Sequence, residues 1–201
     1  SLAASAFGQT FNITPLQLVT AVSAVANGGR LMQPYIVSKI LNEDGSVAQT
    51  REPTLIRQVI SEETSARVSA ILETVVSAKG GTGKNAYVAG YRIAGKTGTS
   101  EKIGQVSDDY VVSFIGYAPA DDPKIAVIVL LDSPSPDSGF AVSGGAMAAP
   151  VVANIMSDVL PHLGVEPIYS DDDANTINIK LPNLSGYTRE DAVDTLRALG
   201  F

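Results

Sequence analysis

The sequence lacks cysteine altogether and contains a single histidine, His162, among its 201 residues. Without cysteine the chain can form neither a disulfide nor a thiolate metal site, and one imidazole alone cannot hold a metal ion. The histidine follows Pro161 near the end of a helical pattern, where a capping or surface position is the simplest interpretation. We therefore expect no metal site.

Long apolar runs and clusters of basic residues are also absent. The longest unbroken apolar run extends from Ile125 to Leu131, far short of the roughly 20 residues that a membrane-spanning helix needs. The 14 lysines and arginines are scattered and are outnumbered by 21 acidic residues, which gives a formal net charge of -7. Nucleic-acid-binding modules usually carry a basic patch, so the composition argues against one.

The ends of the sequence predict a piece of a longer protein. The chain starts at Ser1 rather than at Met, and it ends at Gly200-Phe201 directly after a helical pattern. A missing signal peptide therefore says little about the compartment. The length predicts one domain, or one domain and a short appendage, with enough apolar residues to form a core.

Four stretches have the apolar spacing of amphipathic helices. The first begins at Thr14, where Pro15 and Gln17 complete the pattern of a capping box. The second begins at Ser61. The predicted helices cover approximately residues 14–26, 61–79, 146–163 and 188–199.

Three strands are predicted in the second half of the chain. Tyr110 to Ala118 is rich in β-branched and aromatic residues, and Lys124 to Asp132 has the continuous apolar run of a buried strand. The prolines and aspartates between these two strands predict a hairpin-type connection. A shorter candidate, Tyr91 to Gly95, leads into Lys96-Thr97-Gly98-Thr99.

The stretch from Lys79 to Lys84 (KGGTGK) approximates a phosphate-binding loop. However, Ala78 stands where that motif has its first glycine, and Asn85 stands where it has a magnesium-binding hydroxyl. The stretch also follows the C-terminus of a predicted helix, whose free carbonyls repel phosphate, whereas a phosphate loop opens a helix. The sequence therefore predicts a glycine-rich helix end with Lys84 facing solvent, and no nucleotide site.

The stretch Lys96-Thr97-Gly98-Thr99 is a stronger candidate for chemistry. Lys96 supplies a positive charge beside a nucleophile, and Thr97 and Thr99 supply hydroxyl donors for a carboxylate. Gly98 lets a substrate backbone lie against the strand, and a backbone N–H near Thr99 can donate to a developing oxyanion. K-T-G is a signature of penicillin-binding proteins and class A β-lactamases, although the triplet alone also occurs at ordinary strand ends.

Further matches along the chain resemble the C-terminal part of the transpeptidase domain of class B penicillin-binding proteins. The matching segments are, in order, Phe7-Gly8-Gln9, Thr14-Pro15-Leu16-Gln17-Leu18, Ala24 to Gly29, Pro34, Val75-Val76, Gly81-Thr82-Gly83, Ala86, Ala94 to Thr99, Ser113 to Pro119 and Ala148-Ala149-Pro150-Val151.

The resemblance implies an α+β fold in which helices flank an antiparallel β-sheet, incomplete here because two of its five strands and the nucleophile helix lie upstream. It implies a serine enzyme that is acylated by the D-Ala-D-Ala end of a peptidoglycan stem peptide and passes the acyl group to an amine; β-lactams mimic the donor. Residues 96–99 are the implied catalytic motif, in which Lys96, Thr97 and Thr99 contact substrate and the Thr99 N–H forms half of the oxyanion hole. No metal, organic cofactor, nucleotide or nucleic acid is implied.

The serine motifs of the family are missing from this chain. No lysine has a serine three residues before it and no asparagine has a serine two before it, so neither S-x-x-K nor S-x-N occurs. We therefore expect the chain alone to be inactive. The strand at Lys124 to Asp132 would leave an unpaired apolar edge, so we expect pairing with the missing N-terminal half, self-association, or marginal stability.

The tail, from Leu181-Pro182-Asn183 onward, is similar to the beginning of a PASTA domain. We divide the chain into a transpeptidase portion at 1–165, a linker at 166–177 and a truncated PASTA-like strand and helix at 178–201. The resemblance implies the extracytoplasmic face of a bacterial membrane, with an upstream transmembrane anchor, and a role in division or sporulation. Two alternatives stay open: a non-catalytic fragment that binds cell wall or a partner, and a β-lactamase or penicillin-sensor relative.

Overall fold

A computed structural model describes residues 8, 12–102, 109–170, 173 and 183–198 of the chain. The chain divides into two compact units, Ser1–Tyr169 and Ser170–Phe201. The larger unit contains the predicted helices and strands of the transpeptidase portion, and the smaller unit contains the tail.

The first helix, α1 (Pro15–Ala26), begins as the capping pattern predicts. Thr14 Oγ1 accepts a hydrogen bond from Gln17 N at 3.2 Å, and Gln17 Oε1 accepts one from Thr14 N at 3.0 Å. These reciprocal bonds satisfy backbone donors that the first turn of a helix leaves unpaired. The cap therefore defines the start of the helix from local sequence alone.

Four short strands follow α1, and the sequence analysis did not predict them. They form two antiparallel ribbons: the first strand pairs with the fourth, and the second pairs with the third. Every residue of the second and third strands, the inner ribbon in sequence order, is exposed. Neither face of that ribbon is buried. Its sequence therefore lacks the alternation of apolar and polar residues by which a half-buried strand is predicted. Strand β1 (Arg30–Met32) pairs with β4 (Leu55–Gln58), and β2 (Lys39–Leu41) pairs with β3 (Val47–Thr50).

The second helix, α2 (Glu62–Ser77), begins at the predicted cap, where Ser61 Oγ accepts a hydrogen bond from Thr64 N at 3.1 Å. The glycine-rich stretch that follows is a tight connection containing a single 3₁₀ turn, Lys84–Ala86. Lys84 is exposed, as predicted. Gly83 N donates to Val75 O at 2.9 Å, so this loop closes back on the end of α2 and does not open a new α-helix.

A three-stranded antiparallel sheet forms the centre of the larger unit, with the order β5-β6-β7. Strands β6 (Tyr110–Ala118) and β7 (Ile125–Asp132) match their predicted positions closely. The bounds predicted for the first strand were wrong: β5 covers Ala94–Glu101, not residues 91–95. Tyr91 instead forms an isolated bridge with Val88, and backbone pairing with β6 continues through the whole K-T-G-T stretch.

Helices pack on both faces of this sheet, as the fold class predicts. Helix α3 (Ala149–His162) follows a π-helical turn, Gly144–Ala148, and packs on one face together with Phe114 of β6. Tyr117, three residues along β6, points to the other face and packs against α1 and α2. The buried core residues on the α3 side are Val76, Ala86, Ile93, Phe114, Ala118, Ala148, Ala149, Val152, Met156 and Leu160.

The smaller unit contains one described helix, α4 (Arg189–Ala198). Thr188 Oγ1 accepts a hydrogen bond from Asp191 N at 3.2 Å and donates one to Asp191 Oδ2 at 2.7 Å, so Thr188 caps the helix at the start of the predicted range 188–199. The strand predicted at Asn178 to Leu181 lies outside the described residues.

A buried hydrogen bond joins the sheet to α2 and gives a first test of the fold. Tyr117 is fully buried, and its hydroxyl donates to Ser69 Oγ at 2.8 Å. Burial raises the pKa of the Tyr117 hydroxyl, which stays protonated and available as a donor at neutral pH.

We expect Tyr117→Phe to lower the free energy of unfolding by about 1 kcal/mol, because Ser69 Oγ loses its buried donor. Chemical denaturation of the chain measures this. The matched control is the double variant Tyr117→Phe, Ser69→Ala, which removes both partners and should cost less than the sum of the two single changes. Strict additivity would show that the hydrogen bond does not couple the two elements.

Candidate functional site

The four residues predicted as a catalytic motif lie together on β5, at one edge of the sheet. Among the described strands, β5 pairs only with β6, so its other side faces away from the sheet. Lys96 and Thr99 are exposed, while Thr97 and Gly98 are half-buried. Lys96 Nζ donates to the carbonyl oxygen of Thr97 at 2.7 Å, which holds the ammonium group along the strand edge.

Gly98 occupies a position where the backbone comes close to a polar side chain of the neighbouring strand. It lies directly opposite Ser113, and a Cβ at Gly98 would clash with Ser113 Oγ. The absence of a side chain at this position therefore lets the hydroxyl of Ser113 lie against the strand. The position therefore tolerates no larger residue without displacing that hydroxyl.

The π-helical turn before α3 packs tightly against β5 and β6. Gly144 N donates to Thr99 Oγ1 at 3.2 Å. A Cβ at Gly144 would clash with the carbonyl oxygens of both Ser113 and Gly98. Ser143 caps the turn by accepting a hydrogen bond from Ala146 N at 3.2 Å. The turn thus holds the Thr99 hydroxyl in place from behind the strand.

The glycine-rich loop after α2 reaches the same strand from another side. Thr82 Oγ1 lies 3.2 Å from Thr97 Oγ1, and Asn85 Nδ2 donates to the carbonyl oxygen of Gly145 at 2.9 Å. The stretch that resembles a phosphate loop therefore lies next to the candidate site and does not form a site of its own. Sequence reasoning assigned no task at this site to Thr82, Asn85 or Gly144; the Gly-Thr-Gly triplet within the family resemblance was the available signal for Thr82.

Lys96 differs from two other cations of the sheet region in having no acidic partner among the residues that the structure describes. Lys102 pairs with Asp132, and its hydrogen bond lowers the pKa of that carboxyl. Arg92 is held by Glu73 at 2.7 Å and by Asp121 at 2.5 Å, and the hydrogen bond to Glu73 raises the pKa of the guanidinium. Within the described ranges, Lys96 Nζ makes no ion pair, so its charge stays available to an anionic ligand.

The part of the chain that the structure describes contains neither a cluster of metal-binding side chains nor a helix suited to crossing a membrane. No group of three or more histidine, aspartate or glutamate side chains there is placed to hold a metal ion. No described helix is both long and apolar enough to cross a bilayer.

The chain is similar to a known protein family over most of its length. The family model described as the penicillin-binding protein transpeptidase domain matches residues 1–157. The chain belongs to the penicillin-binding protein transpeptidase family. It is 44% identical over 200 residues to stage V sporulation protein D of Bacillus subtilis (strain 168), covering 94% of this chain and 30% of that protein. It is 30% identical over 164 residues to peptidoglycan D,D-transpeptidase FtsI of Escherichia coli (strain K12), covering 80% of this chain and 25% of that one.

Solved structures agree with this assignment. The structure of penicillin-binding protein 3 from Mycobacterium tuberculosis in complex with aztreonam matches with a TM-score of 0.72 and 32% identity, over 85% of this chain and 39% of that one. The imipenem acyl-enzyme complex of penicillin-binding protein A from M. tuberculosis matches with a TM-score of 0.65 and 28% identity, over 78% of this chain and 34% of that one. The chain therefore has a partial transpeptidase fold, and it spans less than half the length of these relatives.

The close packing of the π-helical turn gives a second test. We expect Gly144→Ala to lower the free energy of unfolding by about 2 kcal/mol, because the added methyl meets two backbone oxygens that cannot move without displacing β5 and β6. In a thermal melt this corresponds to a lower Tm by about 5 °C for a chain of this size. The matched control is Gly80→Ala, since a Cβ at Gly80 meets no atom within 4 Å. Equal melting temperatures for the two variants would contradict the tight packing.

Proposed function

We propose that this chain supplies the K-T-G-T part of a peptidoglycan D,D-transpeptidase active site, whose serine nucleophile lies in a segment upstream. The observation that carries the proposal is the position of Lys96, Thr97 and Thr99 on β5, whose outer edge pairs with no other described strand. The names of the relatives support the reaction class, since one is a D,D-transpeptidase and two solved relatives hold β-lactams.

Each residue has a defined task in the proposed reaction. The upstream serine attacks the carbonyl carbon of the penultimate D-Ala of a stem peptide, and terminal D-Ala leaves as the amine. An amine of a neighbouring strand then attacks the acyl-serine and releases the serine. Lys96 stabilises negative charge and organises protons, the Thr97 and Thr99 hydroxyls hold the substrate carboxylate, and the Thr99 N–H donates to the oxyanion. This role requires no metal or organic cofactor.

The sheet edge formed by β7 supports a proposal about the half of the transpeptidase domain that lies upstream of this chain. Strand β7 has β6 as its sole partner among the described strands, and its apolar side chains are mostly half-buried. An apolar edge of this kind is stable when another strand covers it. We infer that the upstream half of the domain pairs there, and that the chain alone neither cross-links peptides nor binds penicillin covalently.

The tail and the cellular location complete the proposal. The match to the Bacillus subtilis protein covers 94% of the chain, beyond the residues of the transpeptidase family model, and α4 lies in a unit of its own. We assign residues 178–201 to the beginning of a PASTA domain that contacts cell wall or a partner. The whole protein acts at the extracytoplasmic face of the membrane in division or sporulation, anchored by a helix outside this chain.

Intact mass spectrometry tests the assembly and the place of the nucleophile. The chain is co-expressed with the upstream half of the Bacillus subtilis relative, and benzylpenicillin is added. We expect a covalent adduct on the upstream piece only, and no adduct when this chain is treated alone. An adduct on this chain would place a nucleophile here and overturn the division of roles; no adduct on the complex would overturn the proposed function.

The charge of Lys96 is tested in the same complex. We expect Lys96→Met to lower the rate of acylation by benzylpenicillin about a hundredfold, the usual effect of removing a preorganised electrostatic contact to the transition state. Lys84→Met is the matched control, because Lys84 is equally exposed but lies on the loop after α2; its rate should stay within about twofold of wild type. Intact mass spectrometry of acylation reactions quenched at successive times gives the acylation rate of each variant. Similar rates for the two variants would exclude Lys96 from the site.

A further inference from the structure

Two threonine hydroxyls from separate parts of the chain meet beside the candidate site. Thr82 Oγ1, on the glycine-rich loop, lies 3.2 Å from Thr97 Oγ1 on β5, and either oxygen can be the donor. The K-T-G-T motif includes Thr97 but not Thr82, so the family resemblance gives the loop threonine no task. The pair therefore raises the question of which hydroxyl donates.

The position of Thr82 is determined by the backbone around it. Gly83 N donates to Val75 O at 2.9 Å, and Ala86 N donates to Gly83 O at 2.8 Å, so the loop is tied both to the end of α2 and to its own 3₁₀ turn. Asn85 Nδ2 donates to Gly145 O at 2.9 Å, which fastens the loop to the π-helical turn. The loop that carries Thr82 is thus bonded to the end of α2, to the 3₁₀ turn and to the π-helical turn, and these bonds fix Thr82 next to Thr97.

The direction of the hydrogen bond follows from the task proposed for Thr97. A threonine hydroxyl has a single proton to donate but two lone pairs that accept. If Thr97 donates its proton to the carboxylate of a substrate, its oxygen is free only to accept, and Thr82 must be the donor. A hydroxyl that accepts a hydrogen bond becomes a better donor itself, so the chain from Thr82 through Thr97 to the carboxylate is cooperative.

We propose that Thr82 is a positioning residue, which donates to Thr97 Oγ1 and thereby directs the Thr97 proton to the substrate carboxylate. This role rests on the proposed function. It differs from a packing role in one respect: it affects only ligands that carry a carboxylate, whereas looser packing of the loop would affect all ligands.

The test compares two ligands on three variants in the complex with the upstream half. The ligands are benzylpenicillin and its methyl ester, which lacks the anionic carboxylate. Thr82→Val keeps the shape of the side chain without the hydroxyl, and Thr82→Ser keeps the hydroxyl. Thr74→Val is the matched control, because the Thr74 hydroxyl donates to Ile71 O within α2 at 2.7 Å and has no other hydrogen-bond partner among the described residues.

We expect Thr82→Val to slow acylation by benzylpenicillin about five- to tenfold and to leave the slower acylation by the methyl ester unchanged. Thr82→Ser should return the rate to near wild type, and Thr74→Val should match wild type with both ligands. Thermal melts of each complex show whether the variants are folded.

Wild-type rates for Thr82→Val would overturn the role of Thr82 alone, and so would an equal loss with both ligands, which marks a packing effect. A serine variant as slow as the valine variant would also overturn it, because the hydroxyl would then not be the active group. A wild-type complex that forms no adduct with benzylpenicillin would instead overturn the proposed function, and the role of Thr82 with it.

Discussion

The unbroken register between β5 and β6 is the constraint on which the rest of the structure depends. All eight residues of β5 are paired, from Ala94 opposite Tyr117 to Glu101 opposite Tyr110. Because side chains alternate across a strand, this single alignment sends Phe114 into the core beneath α3 and Tyr117 into the core beneath α1 and α2. A slip of one residue would exchange these two faces and place each aromatic ring in the core on the wrong side of the sheet. The same register places Ser113 opposite Gly98, so the core and the candidate site are aligned by one set of hydrogen bonds.

The site is shaped more by backbone than by side chains. Close approach of the π-helical turn depends on Gly144, whose missing Cβ leaves room for two carbonyl oxygens of the sheet. The loop after α2 reaches β5 at Thr82 because the loop itself is anchored through backbone hydrogen bonds to α2. Backbone anchors of this kind place hydroxyl groups accurately at little cost in side-chain entropy, which suits a site that must hold a ligand in one orientation.

Features with local causes were predictable from the sequence. The caps at Thr14, Ser61 and Thr188 depend on a hydroxyl and the next three backbone amides, so their signatures are complete within four residues. The K-T-G-T motif could also be proposed from the sequence, because the chemistry expected of it is carried by adjacent residues. The start of β5 was placed too early because Tyr91 has high strand propensity, although tertiary contacts put that residue in a bridge with Val88 and bond its hydroxyl to Val165 O.

Features that depend on distant contacts were not predictable. The hydroxyls of Thr82 and Thr97 are 15 residues apart in sequence, and no periodicity connects them. The exposed ribbon of β2 and β3 buries neither face and so carries no pattern. The family resemblance implied the chemistry that is proposed for the site but not the contacts behind it, because those contacts join residues that are distant in the sequence.

The two edges of the sheet have opposite physical requirements, which is compatible with the proposed division of the active site between this chain and an upstream segment. An edge that binds an extended substrate must remain open, and β5 meets this need with exposed polar residues and a glycine. An edge of apolar residues must instead be covered, and β7 lies on the far side of β6 from the substrate edge. Covering β7 therefore stabilises the sheet without obstructing β5. In the proposed enzyme, the strand that completes the fold and the peptide that undergoes reaction occupy different edges, so folding and substrate binding do not compete for the same backbone groups.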